Sequence, residues 1–110
     1  MVTPKLLRQT ALSFAETSEQ PHFEKTSFRV GKKIFATYDK KENKACVKLS
    51  LIDQNVFSSF DKNIFTPIPN KWGLLGWTNI NLEKVRRDMF LDVLTLAYNE
   101  VAPKRLMIKE

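Results

Sequence analysis

The positively charged side chains of this 110-residue chain are concentrated in one segment. Residues 25–48 contain eight lysines and arginines and only two acids, whereas the rest of the chain carries ten of each. The net charge of +6 therefore lies in this segment. A local cluster of cations attracts a phosphate backbone, because each neutralised phosphate releases condensed counterions. The alternative is a solvated sheet face on which lysines maintain solubility and protect a sheet edge.

Four other side chains are of types that catalysis uses. His22 and Cys46 are the single histidine and cysteine, which allows a nucleophile–base pair but not a four-ligand Cys/His zinc site. A strand cysteine without an electropositive helix terminus beside it is typically an inert packing residue. Asp88 and Asp92 lie one helical turn apart, but two arginines accompany them, which is typical of a solvated helix face. We therefore expect no catalytic or metal site, and we find no cofactor motif.

The segment Gly73-Leu74-Leu75-Gly76 superficially matches the GxxG loop with which KH domains clamp a nucleotide backbone. Its two central leucines cannot neutralise phosphate. We interpret the segment as a glycine-permitted reversal between strands, with Trp72 and Trp77 packed beneath it. In the alternative interpretation, Trp72, Leu74 and Leu75 form an exposed apolar tip that binds a partner.

The first half of the chain predicts one helix and three strands that position the basic segment. Thr3 is a suitable N-cap with Pro4 at the first helical position, and apolar residues at three-to-four spacing continue the helix to about Thr17. A linker is expected at residues 18–21. Strands are predicted at residues 27–30, 33–38 and 45–50, joined by a tight turn at Gly31 and by a longer polar connection at residues 39–44.

The second half begins with another helix. Ser50 and Asp53 resemble a capping box, and Ile52, Val56 and Phe60 then repeat every four residues. This pattern predicts a short second helix.

Two strands and a third helix are predicted after it. The prolines of residues 64–69 place that extended segment at a sheet edge or in a loop, and residues 77–80 form a better strand. Asn81 is a suitable N-cap for a final amphipathic helix, whose stripe begins with Leu82 and Val85 and which Pro103 ends.

Length and composition favour a single domain over residues 1–110, since domains typically run to about 100–150 residues. The hydrophobic fraction of 43% and the charged fraction of 27% exclude a disordered or collagen-like chain. No apolar run approaches the ~20 residues of a membrane helix, and the N-terminus lacks signal-peptide features, so we expect a cytoplasmic protein without membrane contact. Strands grouped between helices, without strict alternation, predict an α+β fold with a mainly antiparallel sheet.

Several short motifs, taken together and in order, resemble the MmcQ/YjbR family over about residues 6–106. They are Pro21-His22-Phe23, the run of residues 27–36, Val47-Lys48-Leu49-Ser50, Trp72-Gly73 with Gly76-Trp77, and Ala102-Pro103-Lys104-Arg105-Leu106. The resemblance implies an α+β domain similar to type III secretion chaperones, with the element order predicted above. It also implies a DNA-binding "double wing" domain, whose wings correspond here to residues 39–44 and 69–77. Relatives often carry basic or polar residues where this chain has Leu74-Leu75.

The leading interpretation is a non-enzymatic domain that binds nucleic acid, DNA in the first place, by its phosphates and with weak sequence specificity. The candidate phosphate contacts are Arg29, Lys33, Lys40, Lys41, Lys44, Lys48 and Lys71. The alternative is a protein-interaction or chaperone-like module that binds a polypeptide or a second copy. Its candidate contacts are His22, Trp72, Leu74 and Leu75.

An enzyme is the third interpretation, and it requires a cleft in which His22 acquires a partner. The arrangement of charge discriminates between these functions, because basic residues that line one face of the sheet favour nucleic-acid binding. Strand alternation predicts that Arg29, Lys33 and Lys48 share a side, although the register across the turns is open.

Overall fold

The computed structural model describes residues 1–108, which form a sheet layer and a helix layer. The elements in chain order are α1 (Pro4–Ser13), β1 (Thr17–His22), β2 (Lys25–Val30), β3 (Lys33–Asp39), β4 (Lys44–Lys48), α2 (Leu51–Phe60), β5 (Phe65–Pro67), α3 (Lys71–Leu74), β6 (Trp77–Asn81) and α4 (Arg87–Val101). A short 3-10 turn, Lys104–Leu106, follows α4. No helix among the described residues has the length and hydropathy that crossing a membrane requires. The predicted α+β class is confirmed.

The six strands form one antiparallel sheet in the order β1-β2-β3-β4-β6-β5. Side chains alternate between the two faces of a strand. One face therefore carries the buried apolar residues Phe28, Ala36, Ala45, Val47, Ile80 and Phe65. The helices cover this face: the ring of Tyr98 in α4 packs edge-on to Phe35 at 5.7 Å, and Phe57 in α2 lies 5.1 Å from Phe65. The hydrophobic core lies between the two layers.

Two of the three helix N-caps expected from the sequence are present. Thr3 Oγ1 accepts the N–H of Leu6 at 3.1 Å, and Ser50 Oγ accepts the N–H of Asp53 at 3.1 Å. Each cap satisfies one of the N–H groups that the first helical turn leaves without a partner. The starts of α1 and α2 are therefore confirmed.

The apolar repeat of α2 faces solvent. Ile52, Val56 and Phe60 are all exposed, whereas the side of the helix that packs on the sheet presents the buried Gln54 and the partly buried Phe57. Residues four apart stay on one side of a helix with 3.6 residues per turn, so the whole repeat points away from the core.

The linker predicted at residues 18–21 is wrong, because these residues belong to β1. Helix α1 ends at Ser13 instead of Thr17, and the chain then turns at Glu16, whose φ of 58° is left-handed. β1 pairs with β2 over six registered positions. A polar strand that contains a proline shows no hydrophobic alternation, and Pro21 is tolerated because β1 is an edge strand.

Asn81 does not cap the last helix, which begins at Arg87. Asn81 Oδ1 instead accepts the N–H of Glu83 at 3.1 Å and closes a turn. Leu82 and Val85, predicted to belong to the helical stripe, are fully buried in this connection. Two buried residues three positions apart imitate the start of an amphipathic helix, which explains the error.

Two short elements lie before β6. β5 forms the sheet edge opposite β1, as its prolines predicted. Residues 70–76, expected to be a simple reversal, contain the one-turn helix α3, and Asn70 Oδ1 caps it by accepting the N–H of Trp72 at 2.9 Å. The observed order is therefore helix, four strands, helix, strand, short helix, strand, helix.

Candidate nucleic-acid interface

The helices lie on the core side of the sheet, so the opposite side, which we call the open face, is turned to solvent. The strand register arranges its side chains in three rows across the strands. The first row is His22, Lys25, Asp39, Lys44 and Asn81. The middle row is Gln20, Ser27, Thr37, Cys46, Asn79 and Thr66. The third row consists of Ser18, Arg29 and Ile34 on β1 to β3 and of Lys48 and Trp77 on β4 and β6, just beyond the last β3–β4 pair, Ala36 and Val47.

The middle row contains small side chains that are largely covered. Ser27, Thr37 and Cys46 are at most 9% exposed, and the Nε of Arg29 donates to Ser27 Oγ at 3.0 Å. Burial raises the pKa of the Cys46 thiol to about 11, although the positive charge of Lys25 acts to lower this pKa. The thiol is therefore protonated near neutral pH, which makes it a poor nucleophile.

Four basic residues lie on the open face: Lys25, Arg29, Lys44 and Lys48. The sequence predicted Arg29, Lys44 and Lys48 as phosphate contacts. It missed Lys25, which the period-two alternation of β2 places on the same side as Arg29. Because β3 separates β2 from β4, cations on these two strands lie roughly 10 Å apart across the sheet.

Lys33 does not share a row with Arg29 as predicted. A β-bulge shifts the β2–β3 register between Phe28 and Arg29, so Lys33 pairs with the buried Val30 at the end of the hairpin. A bulge adds one residue to one strand and so reverses the side to which the following residues point. Lys33 is exposed at the end of the β2–β3 hairpin, outside the row of Arg29.

The turn between β3 and β4 mixes lysines with acids. Lys40 and Lys41 are exposed there, and Lys41 Nζ lies 3.9 Å from a carboxylate oxygen of Glu24. Lys44 Nζ lies 2.7 Å from a carboxylate oxygen of Glu42. These acids offset part of the positive charge beside the first row.

The third row is the more positive end of the open face. The salt bridges of residues 1–108 include neither Arg29 nor Lys48. The ammonium of Lys48 donates to the carbonyl of Leu75 at 2.6 Å, which holds it at this end of the sheet. Trp77 pairs with Lys48 across the strands and places an indole in the same row.

The two segments that the family resemblance maps as wings lie at opposite ends of β4. The first, residues 39–44, leads into Lys44, and the second, residues 69–77, ends at the partner of Lys48. The five residues of β4 separate these ends by roughly 13 Å. The open face, and not a shared edge, is therefore what connects them.

Lys71 lies in α3 and away from the open face. Its Nζ stands 5.5 Å from the centroid of the Trp72 ring. Together with Leu51 and Leu74, Lys71 lines a groove beside the start of α2. The structure therefore does not bring this predicted contact together with the others.

Both glycines of the second wing are required by the backbone. A Cβ on Gly73 would stand 1.8 Å from the carbonyl oxygen of Ile68, and one on Gly76 would stand 1.8 Å from that of Leu49. Gly76 also has a φ of 107°, which side chains rarely adopt. The two glycines therefore allow the backbone to turn here, as the sequence predicted, although the turn contains the short helix α3.

The leucines between these glycines form an apolar tip. Trp72, Leu74 and Leu75 are 49, 77 and 54% exposed. Trp72 and Trp77 were expected to pack beneath the segment. Trp72 is half exposed and does not do so, and Trp77 is the first residue of strand β6. The exposed tip that the sequence allowed as an alternative is the observed arrangement.

Sequence reasoning did not identify Gln54, which ties α2 to its neighbours. Its Nε2 lies 2.9 Å from the carbonyl of Gly73, 3.3 Å from that of Trp77 and 3.2 Å from Thr78 Oγ1, and the side chain is buried. The sequence does contain a signal for Gln54: its amide lies on the side of the helix opposite the apolar repeat of Ile52, Val56 and Phe60.

His22 and Cys46 do not form a catalytic pair. They occupy different rows, and β2 and β3 separate their strands by roughly 14 Å. The ring of His22 lies edge-on to Phe23, 4.8 Å away. Phe23 occupies the β1–β2 turn with a φ of 57° and is almost completely exposed. Within residues 1–108, no cluster of histidine, cysteine and acidic side chains is arranged to hold a metal ion.

A polar cleft of about 410 Å³ opens at the β5–β6 side of the open face. Lys44, Thr66, Asn79 and Asn81 line it from the sheet, and the acids Glu42 and Glu83 also line it. Amide side chains both donate and accept hydrogen bonds. The cleft therefore has amide groups that match hydrogen-bonding edges, while its acids outnumber its one cation.

The fold and this surface define a two-layer α+β domain with one basic open sheet face and an apolar tip. A sequence model of the YjbR family matches residues 12–100, and the chain belongs to this family. The crystal structure of Deinococcus radiodurans protein DR2400, with the domain DUF419, is similar at a TM-score of 0.81 and 18% identity, over 96% of this chain and 82% of that one. At this identity the likeness concerns the fold. A comparison with curated proteins finds no match.

Proposed function

We propose that this protein binds nucleic acid, without catalysis, through the open face of its sheet. The observation that carries the proposal is the placement of Lys25, Arg29, Lys44 and Lys48 on that one face. Cations spaced by about two strand separations can neutralise phosphates of one backbone at once. This arrangement supports nucleic acid over a scattered solubility surface.

The third row is the expected point of closest contact. Within residues 1–108, Arg29 and Lys48 form no salt bridge, and Trp77, the neighbour of Lys48, offers a ring on which an unpaired base can stack. The first row, where Glu42 pairs with Lys44, contributes less net charge.

Sequence preference is expected to be weak. Lysines act as point charges on phosphate and carry no base information. The amides of Asn79 and Asn81 are the open-face groups best suited to base edges, and they stand in the polar cleft beside Lys44. Two amides limit discrimination to a few positions.

The test is fluorescence anisotropy of a labelled random-sequence DNA duplex, titrated from about 50 to 200 mM salt. Four phosphate contacts predict a log–log salt slope of about −3.6, so we expect affinity to fall on the order of 100-fold over this range. The triple variant Lys25→Gln, Arg29→Gln and Lys44→Gln is expected to make the slope shallower by about 2.7.

A matched control separates the open face from net charge alone. Lys5, Lys62 and Lys104 are exposed and belong to helices or their flanks, so their triple change to Gln removes the same charge elsewhere. We expect this control to retain most of the wild-type slope. Equal losses in both triple variants, or no binding at the lowest salt, would contradict the proposal.

A second candidate function is polypeptide binding, which the exposure of Trp72, Leu74 and Leu75 favours. Its test is NMR shift mapping with a reduced, carboxymethylated protein as the unfolded probe. Amide shifts confined to the tip would support this function, and Leu74→Ser should abolish them. A probe that leaves the tip unshifted at millimolar concentration would exclude it.

A further inference from the structure

The outer surface of α2 is mostly apolar, and the charged residue of this helix, Asp53, is only partly exposed. Leu51, Ile52, Val56 and Phe60 are 58, 78, 57 and 63% exposed. The polar residues exposed between them are Asn55 and Ser59. A solvated helix face normally carries charged side chains, as α4 does at Arg87, Asp88 and Asp92. We call the aligned residues Ile52, Val56 and Phe60 the α2 ridge.

The apolar surface extends past the end of the α2 ridge. Leu51 lines one groove together with Leu74 of α3, so the start of α2 adjoins the apolar tip. Gln54 holds the two helices together beneath this surface through its hydrogen bond to the Gly73 carbonyl. The ridge, Leu51 and Leu74 therefore belong to one patch, which Asn55 and Ser59 border beside the ridge and Lys71 borders in the groove.

The patch is large enough for a stable interface. Each of its five large side chains contributes on the order of 100 Å² of apolar surface, or roughly 500 Å² in all. A standard interface buries about 800 Å² per partner, of which somewhat more than half is apolar. The patch thus supplies the apolar portion that one partner contributes.

We infer that this patch is an interface between two copies of this chain, related by a twofold axis that passes near Val56. Ile52 and Phe60 lie four residues before and after Val56, so the ridge is self-complementary when a second α2 runs antiparallel to it. Val56 then meets its own copy, and Ile52 meets Phe60 of the partner copy. In the commonest class of helix pair, ridges of residues four apart pack into the grooves beside the partner's ridges, and a twofold interface uses the same surface of both copies.

The charge distribution favours this patch over the basic surfaces as the place where two copies meet. The chain has a net charge of +6, so contact between the basic surfaces of two copies is repulsive. Helix α2 contains Asp53 as its one charged residue and lies in the helix layer. Pairing through α2 therefore keeps both open faces apart and turned outward. The inference does not depend on what those faces bind.

Sedimentation equilibrium of the full chain tests the oligomeric state. We expect a dimer, with a dissociation constant in the micromolar range or below, and a monomer for Val56→Glu, because the twofold axis sets that carboxylate against its copy. Leu91→Glu places the same change on the exposed side of α4 and should leave the dimer intact. A wild-type chain that stays monomeric to about 1 mM would overturn the inference.

Cysteine cross-linking tests the geometry without disturbing charge, in a Cys46→Ala background. Under mild oxidation Val56→Cys should form a disulfide-linked dimer, because a disulfide needs Cα atoms within about 7 Å. Ile52→Cys alone should cross-link poorly but should couple to Phe60→Cys when the two variants are mixed. If Ile52→Cys links to itself as fast as Val56→Cys, the antiparallel arrangement is wrong.

Discussion

At the residue scale, two glycines with left-handed backbones serve different purposes. Gly31 has a φ of 60° and no atom within 4 Å of the position a Cβ would take. Gly76 has a φ of 107° and a carbonyl oxygen 1.8 Å from that position. Conformation alone requires glycine at the first, whereas conformation and the close approach of Leu49 both require it at the second.

Replacing each glycine by alanine separates these two requirements. Gly31→Ala should lower the free energy of unfolding by about 1 kcal/mol, the cost of a left-handed conformation. Gly76→Ala should lower it by about 4 kcal/mol or prevent folding, because the backbone of Leu49 must move as well. Urea denaturation followed by circular dichroism measures both. Equal losses would show that the contact with Leu49 is unimportant.

The individual residues of the candidate site were found with uneven success. Arg29, Lys44 and Lys48 were predicted because charge and strand period are visible in the sequence. Lys25 was missed although the same period indicates it, and Lys33 was misplaced because the β-bulge has no signal in the sequence.

At the scale of the elements, the starts of α1 and α2 were predictable and the start of α4 was not. Thr3 and Ser50 cap their helices through groups three residues away, so the pattern is local. Asn81 has the same residue type but closes a turn, and the choice between these roles depends on where Leu82 and Val85 pack. The edge strand β1 has no periodic signal of its own and exists through its pairing with β2.

The attachment of α2 to the sheet depends on Gln54. Its amide bonds to the carbonyls of Gly73 and Trp77 and to Thr78 Oγ1, so Gln54→Ala should lower the free energy of unfolding by about 1–3 kcal/mol. Asn55→Ala changes the exposed neighbour on the same helix and should cost less than about 0.5 kcal/mol. Thermal or urea denaturation distinguishes them. A Gln54→Ala protein as stable as the Asn55→Ala protein would contradict this role.

At the scale of the whole molecule, burial of Cys46 makes the free energy of unfolding change with pH in the alkaline range. The folded state raises the thiol pKa to about 11 from an ordinary value near 9. Between these values the unfolded chain loses the proton that the folded chain retains, so this contribution to stability is complete below pH 9 and is lost as the pH rises toward 11.

The effect is measurable by urea denaturation at pH 8 and pH 10.5. We expect the free energy of unfolding of the wild type to fall by about 2 kcal/mol more than that of Cys46→Ala, since one pKa unit corresponds to about 1.4 kcal/mol. The alanine variant still reports the titration of all other groups. A parallel decline in both proteins would show that the thiol is not the cause.

The two layers also carry the two proposed interfaces on separate surfaces. Lys25, Arg29, Lys44 and Lys48 lie on the open face, while the apolar patch of α2 lies in the helix layer. Variants of Val56 should therefore change assembly without removing phosphate contacts, and variants of Arg29 should do the reverse.

The sequence by itself determined the α+β class, two helix caps, the basic segment and the family, because each of these depends on composition or on residues close together in the chain. Only the tertiary structure decided that Lys33 leaves the row of Arg29, that residues 39–44 and 69–77 lie at opposite ends of β4, and that the α2 ridge is exposed. These features depend on strand register, on one β-bulge and on packing between distant segments. A one-residue shift, such as the bulge introduces, moves the following side chains to the other face of a strand, and the bulge has no signal in the sequence.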